Sequence, residues 1–201
     1  MSLEYPEQFM VDIDSKYDGM MLELLISEKE IKKRVQELGR QISKDYQGKT
    51  PILIAVLNGS FIFISDLIRE LDIECEVDFI KLSSYMNETK SSGTVRLVKD
   101  ISCNITDQDV LVVEDIVDSG LTIQFLKNRM EGGGPASVAF TTLLHKREVS
   151  QLDFELDYVG FNIPNDFVVG YGLDLDQKYR KLPAIYTVKN ERHENGSEQR
   201  K

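Results

Sequence analysis

Apolar residues fall along this chain in two rhythms, one of period three to four and one of short unbroken runs. Ile31, Val35, Leu38 and Ile42 recur at helical spacing behind Ser27 and Glu30, the two partners of a capping box. A helix is therefore predicted over 27–46, ending at the Gly48 turn. PILIAVL at 51–57 is a continuous apolar run, the profile of a strand covered on both faces. The tight loop Asn58-Gly59-Ser60 leads into a second predicted helix over 61–71, and ECEVDFIKL at 74–82 alternates as a strand. Residues 83–95 are polar and aperiodic, which fits a long mobile loop or the two arms of a hairpin. Val110 to Val113 form a further unbroken apolar run, followed by a helix over 123–130 that stops at Gly132-Gly133-Gly134. ASVAFTTLLHK at 136–146 reads as a strand, and DYVGF at 157–161 and DFVVGYG at 166–172 as shorter ones. The last segment, 190–201, has the composition of a disordered tail.

This alternation, without internal repeat, describes an α/β fold: a central parallel sheet flanked by helices, with a small appended subdomain. At 201 residues the chain suits one domain with a substantial core. Lys and Arg number 24 against 34 Asp and Glu, a net charge of −10, which disfavours a surface that tracks nucleic-acid phosphates. The two cysteines, Cys75 and Cys103, fit neither a zinc site nor a disulfide framework and suggest a reducing compartment. The acidic N-terminus lacks a signal-peptide pattern, and no apolar run approaches the ~20 residues of a membrane span. A cytoplasmic protein without membrane contact is expected.

The chemistry concentrates in DVLVVEDIVDSGLT at 109–122. Glu114 and Asp115 sit where the apolar strand should end, and a loop with Asp118, Ser119, Gly120 and Thr122 leads into the next helix. Ligands of open α/β sheets bind beyond the carboxyl ends of strands. Amides and hydroxyls at a helix N-terminus make an anion cradle, and Gly120 lets the backbone approach closely. Two carboxylates for a polyol or metal beside a phosphate cradle are the chemistry of a sugar phosphate. Neither a Gly-x-x-x-x-Gly-Lys-[Ser/Thr] loop nor a Gly-x-Gly-x-x-Gly fingerprint occurs.

The run VVEDIVDSGLT resembles the phosphoribosyl-pyrophosphate motif of the type I phosphoribosyltransferases. AVLNGSFIF at 55–63, LSSY at 82–85, LLHKR at 143–147 and FVVGYGLDLDQKYRKLP at 167–183 are similar to segments of the hypoxanthine-guanine branch, in family order. The resemblance implies a single domain over 1–189, with a hood from about 1–20 and 160–189 over the base site. It implies purine salvage: transfer of 5-phosphoribosyl from phosphoribosyl pyrophosphate to hypoxanthine or guanine, giving IMP or GMP and pyrophosphate. Mg²⁺ is the implied cofactor, with Glu114 and Asp115 holding the ribose and metal, and Asp174 near the base and a second metal. Backbone and hydroxyls of Asp118, Ser119, Gly120, Leu121 and Thr122 would hold the 5′-phosphate. Asp118 would be the general base and Lys146 the donor to the purine O6, with Phe167 stacking on the base and the Val168 backbone reading its edge. Asn58, Gly59, Ser84, Tyr85 and Arg180 would contact pyrophosphate, Ser84 and Tyr85 from a closing loop. Leu57-Asn58-Gly59 is similar to the family's pyrophosphate loop, which often adopts a non-proline cis peptide.

Two positions depart from the pattern. Asn58 stands where many members carry a basic residue, and Leu121 where some carry lysine in the phosphate loop. Lys146 and Phe167 separate the chain from pyrimidine enzymes but not guanine from xanthine. Other readings on the same fold are a xanthine-preferring or different phosphoribosyltransferase and a nucleotide-sensing regulator that binds RNA. Relatives in the family form dimers or tetramers, so a homo-oligomer is expected. His145, without a partner set, is assigned no role.

Overall fold

In the computed structural model, which describes residues 6–11, 19–85 and 94–189, the strands and helices alternate through the middle of the chain. The expectations for residues 1–5, 12–18, 86–93 and the 190–201 tail lie outside the described residues. In chain order the elements are strands β1 (Gln8–Met10) and β2 (Met21–Ile26), helix α1 (Glu28–Asp45), strand β3 (Ile52–Leu57) and helix α2 (Phe61–Leu67). There follow β4 (Glu76–Tyr85), β5 (Thr94–Lys99), β6 (Asp109–Val117), α3 (Leu121–Glu131), β7 (Ser137–His145), β8 (Tyr158–Asn162), β9 (Val168–Val169) and β10 (Ile185–Lys189). The chain divides into two compact units, Met1–Ile31 with Asp166–Lys201, and Lys32–Asn165.

The larger unit is built on a six-stranded sheet in the order β5-β4-β3-β6-β7-β8. β3 pairs parallel with β4 on one side and with β6 on the other, and β6, β7 and β8 continue in parallel. The sheet is mixed rather than wholly parallel, because β5 runs antiparallel to β4; the 86–93 stretch between them lies outside the described residues. Ile52, Ile54, Val110 and Val112 are buried and pack with Ile123, Leu126 and Met130 of α3 in one cluster. This burial on both sheet faces is why the central strands carry unbroken apolar runs. The strand order reverses between β3 and β6, so the loops after these two strands flank a topological switch point, where open sheets bind ligands.

Helix α1 starts as its sequence requires. The Ser27 N–H and hydroxyl both donate to the Glu30 carboxylate, at 2.9 and 2.5 Å, and this pairing holds the Glu30 carboxyl below the usual carboxylate range. Its Ile31, Val35, Leu38 and Ile42 stripe is buried. α2 is shorter than the pattern suggests: it ends at Leu67 and tightens into a 3₁₀ turn over Ile68–Glu70.

The smaller unit is a four-stranded antiparallel sheet in the order β1-β2-β10-β9. Its core joins Val11, Leu22, Val169, Leu175, Leu182 and Tyr186. Phe9 packs edge-on to the Tyr186 ring, whose centroid is 5.1 Å away. The 166–172 run yields only the two-residue β9, because the backbone then turns through left-handed conformations at Gly170, Tyr171 and Gly172. No helix among the described residues is long and apolar enough to cross a membrane.

Candidate active site

β6 does not end at its carboxylates. It runs on to Val117, paired with β7 at Glu114↔Thr142, Ile116↔Leu144 and Val117↔His145. Glu114 and Asp115 therefore sit inside a hydrogen-bonded ladder, both buried, rather than on a strand end. The Glu114 Oε2 is out of contact with solvent and has no hydrogen-bond partner. Burial, and then the neighbouring Asp115 charge, raise the Glu114 carboxyl well above its ordinary value. Asp115 accepts the Ile116 N–H at 2.9 Å, and its other oxygen lies against Gly59: a Cβ on that glycine would be 1.4 Å from Asp115 Oδ2. The loop after β3 and the carboxylates of β6 thus meet at the switch point. The Leu57-Asn58 peptide is cis, with Asn58 exposed and the Ser60 hydroxyl donating to the Val56 carbonyl at 2.5 Å.

The loop after β6 is shaped to leave amides open. Gly120, at φ +89°, precedes α3 without any side-chain cap, so the first-turn N–H groups of an 11-residue helix are not capped from its own N-terminus. Leu121 N–H reaches only the Ser119 hydroxyl, at 3.5 Å. The segment is buttressed from behind by Gln151, whose N–H donates to the Ser119 carbonyl at 3.0 Å.

Lys146 is buried at the end of β7 and donates through Nζ to Asp118 Oδ2 at 2.9 Å. Its backbone N–H donates to the Val117 carbonyl at 2.9 Å, which fixes the two ends side by side. The Asp118 side chain is 56% exposed and the Lys146 side chain 8%. Two residues read separately in the sequence are one ion pair here.

The smaller unit carries its own set. Phe167 is 53% exposed, and its carbonyl accepts the Val188 N–H, while Val168 is buried in β9. Asp174 accepts from the Gln177 N–H at 2.8 Å and pairs with Arg180 at 2.7 Å. Arg180 also donates to the Gly172 carbonyl at 2.7 Å and to the Gln177 amide oxygen at 3.0 Å. Gln177, which sequence reasoning passed over, therefore organises the pair. Its signal was the three-residue spacing from Asp174, the mark of a carboxylate folding back on a local turn. Ser84 and Tyr85 lie on β4 where it pairs with β5, at the edge of the segment that is not described.

No cluster of three or more metal-ligating side chains exists among the described residues. Two adjacent buried carboxylates, one with an unpartnered oxygen, suit a hard cation that keeps several waters and takes further oxygens from a phosphorylated substrate.

The fold and this site define a class. A Phosphoribosyl transferase domain matches residues 24–176, and the chain belongs to that family. It falls in the hypoxanthine-guanine branch. The hypoxanthine-guanine phosphoribosyltransferase of Streptococcus thermophilus (strain CNRZ 1066) is 43% identical over 84% of this chain and 93% of its own length. The solved hypoxanthine-guanine phosphoribosyltransferase of Bacillus anthracis is 49% identical, covering 83% of this chain and 98% of that one, with a TM-score of 0.79. The bifunctional TilS/HprT protein of Listeria monocytogenes serotype 4b is 44% identical over 84% of this chain, which spans only 26% of that longer protein.

Proposed function

We propose that this chain transfers the 5-phosphoribosyl group of phosphoribosyl pyrophosphate to hypoxanthine or guanine, forming the nucleotide and pyrophosphate. One observation carries the reading: two buried carboxylates on β6 stand directly before an uncapped helix start, with Gly59 pressed against one of them. The carboxylates suit the ribose hydroxyls, and the Ser119–Thr122 amides and hydroxyls suit the 5′-phosphate. Breaking the bond to pyrophosphate builds positive charge at the sugar carbon and negative charge on the leaving group. Fixed charges placed before the reaction do most in such a step. Glu114 and Asp115 would hold Mg²⁺, which would supply charge neutralisation for the leaving pyrophosphate. Asp174 is the candidate for a second ion, and the backbone at Asn58 and Gly59, with Ser84, Tyr85 and Arg180, for pyrophosphate contact.

Lys146 would donate to the purine O6, and Asp118 would accept the proton that the base must lose. A 6-amino purine offers the ammonium no acceptor, so adenine leaves a buried charge unpaired, the kind of mismatch that a polar site rejects strongly. Phe167 would lie on the purine ring and the Val168 backbone read its edge. We further propose that 1–189 acts as one functional domain, that the protein works as a homo-oligomer, and that it is cytoplasmic.

The test is nucleotide formation from each purine with phosphoribosyl pyrophosphate, with and without Mg²⁺. Product is expected from hypoxanthine and guanine and is expected to vanish with chelator. Activity on uracil, or on adenine alone, would overturn the reading.

A further inference from the structure

Behind the phosphate loop, the larger unit holds a cavity of about 390 Å³ that the chemistry above does not use. It opens at the ends of β7 and β8. Its lining includes His145, Arg147, Ser150, Leu152, Phe154 and Asn162. His145 precedes Lys146, and strand alternation turns it to the other face.

Three features mark the cavity as built for a ligand. The His145 Nε2 and the Ser150 Oγ are shielded from solvent and have no hydrogen-bond partner, a condition proteins rarely leave uncompensated. Leu152, Phe154, Leu156 and Val159 give an otherwise polar lining one apolar wall, and the Phe154 ring is held in place by the Lys127 ammonium, 4.1 Å from its centroid, and by the Phe140 ring at 5.5 Å. The rim carries the exposed Arg147 guanidinium and Asn162 amide. Glu155, also on the rim, and the net charge of −10 discourage more than one negative charge on an occupant. Burial and the Arg147 charge depress the His145 pKa, which leaves the imidazole neutral and able to share a hydrogen bond with an uncharged polar group.

The same wall touches the phosphate loop. Gln151 donates to the Ser119 carbonyl, and a Cβ on Gly120 would be 2.9 Å from Leu152 and 3.5 Å from the Ser150 hydroxyl.

We propose that this cavity is a second ligand site, for a small aromatic monocarboxylate, and that its occupant acts on the Ser119–Gly120 loop. The ring lies among Leu152, Phe154 and Val159. The carboxylate takes the forked donors of Arg147 with Asn162, and a hydroxyl at the far end satisfies His145 and Ser150. The site stands independently of the activity proposed above, because it is read by binding.

The experiment is a titration of the full ¹⁵N-labelled chain with 4-hydroxybenzoate, followed by amide shifts. Saturable shifts at His145, Arg147, Ser150 and Asn162 are expected, with Gly120 moving in step and a dissociation constant on the order of 1 mM or tighter. Arg147→Ala should weaken binding about tenfold or more, and Arg147→Lys less, since a lysine keeps the charge but not the fork. Both changes are at an exposed position, so the fold should persist. Shifts that never saturate, that survive Arg147→Ala unchanged, or that appear only at Glu114, Asp118 and Lys146 would overturn the site. Saturation with Gly120 unmoved would overturn its action on the loop.

Discussion

Lys146 and Asp118 hold each other at 2.9 Å, a buried ammonium pinned by a half-exposed carboxylate. The pairing joins the group expected to recognise the purine to the group expected to take its proton. On the proposed roles, an arriving base would compete for both ends of one hydrogen bond, and recognition and proton removal would be coupled through it.

Replacing Asp118 by Asn separates the two roles. The amide oxygen can still accept from Lys146, but the basicity is gone. Turnover should fall about 10²- to 10⁴-fold, while the KM for phosphoribosyl pyrophosphate changes little. Steady-state kinetics decide this, and an unaltered kcat would remove Asp118 from the proton-transfer role.

Lys146→Met removes the ammonium and keeps an unbranched apolar stem. Catalytic efficiency with hypoxanthine should drop by about 10²-fold or more, and the preference for hypoxanthine over adenine should narrow, since the buried charge that penalises adenine is absent. Parallel measurement with both bases is required. A preference that stays as wide would place discrimination elsewhere.

Glu114 sets a pH dependence. Its folded-state carboxyl is raised above the ordinary 4.5 by burial and by Asp115. The folded state therefore binds this proton more tightly than the unfolded chain. The penalty of ionising it is absent below the unfolded value and grows as pH rises through the folded one. Glu114→Gln should thus raise Tm relative to wild type at neutral pH, by roughly 2–4 °C for each kcal/mol of relieved penalty, and the gap should close below about pH 4. Added Mg²⁺ with phosphoribosyl pyrophosphate should stabilise the wild type more than the variant. Thermal unfolding across pH supplies both comparisons.

Gly59→Ala should be nearly inactive yet folded. The new methyl would coincide with the Asp115 carboxylate, which must move by an ångström or more. Misplacement on that scale costs on the order of 10²-fold in rate. Circular dichroism matching wild type, with kcat/KM for the donor reduced by that order, is the expected result. Near-normal efficiency would show that Asp115 is free to relocate.

Gly120→Ala tests the loop instead. At φ +89° an alanine is strained by roughly 1–2 kcal/mol, and Leu152 crowds the same methyl. A lower denaturation midpoint should accompany a higher donor KM. Loss of stability alone would separate Gly120 from phosphate binding.

Much of this was legible from residue order, and the reasons are local. The Ser27–Glu30 box, the apolar stripe of α1 and the central β3 and β6 runs each follow from interactions within a few residues or from burial on both faces. The site motif was legible because a phosphate cradle requires a strand, a glycine and a helix start in succession. What escaped depended on partners distant in sequence. β2 and β10 pair across more than 150 residues, and MLELLI shows no alternation to announce it. The extension of β6 past its carboxylates is imposed by β7, since nothing in Glu114-Asp115 itself favours a strand. Gly59 was placed in a loop, but only the folded sheet brings it onto Asp115.

That extension of β6 separates latitude from strictness in what the protein accepts. The carboxylates proposed to face the sugar belong to a stretch of β6 fastened to β7, with the Gly59 backbone already against Asp115, so they have little room to adapt. On the proposed role, a donor altered at its ribose hydroxyls would meet a stiff gauge. Any breadth of tolerance must therefore be sought among incoming bases, and engineering for new donors would have to begin by loosening the sheet itself.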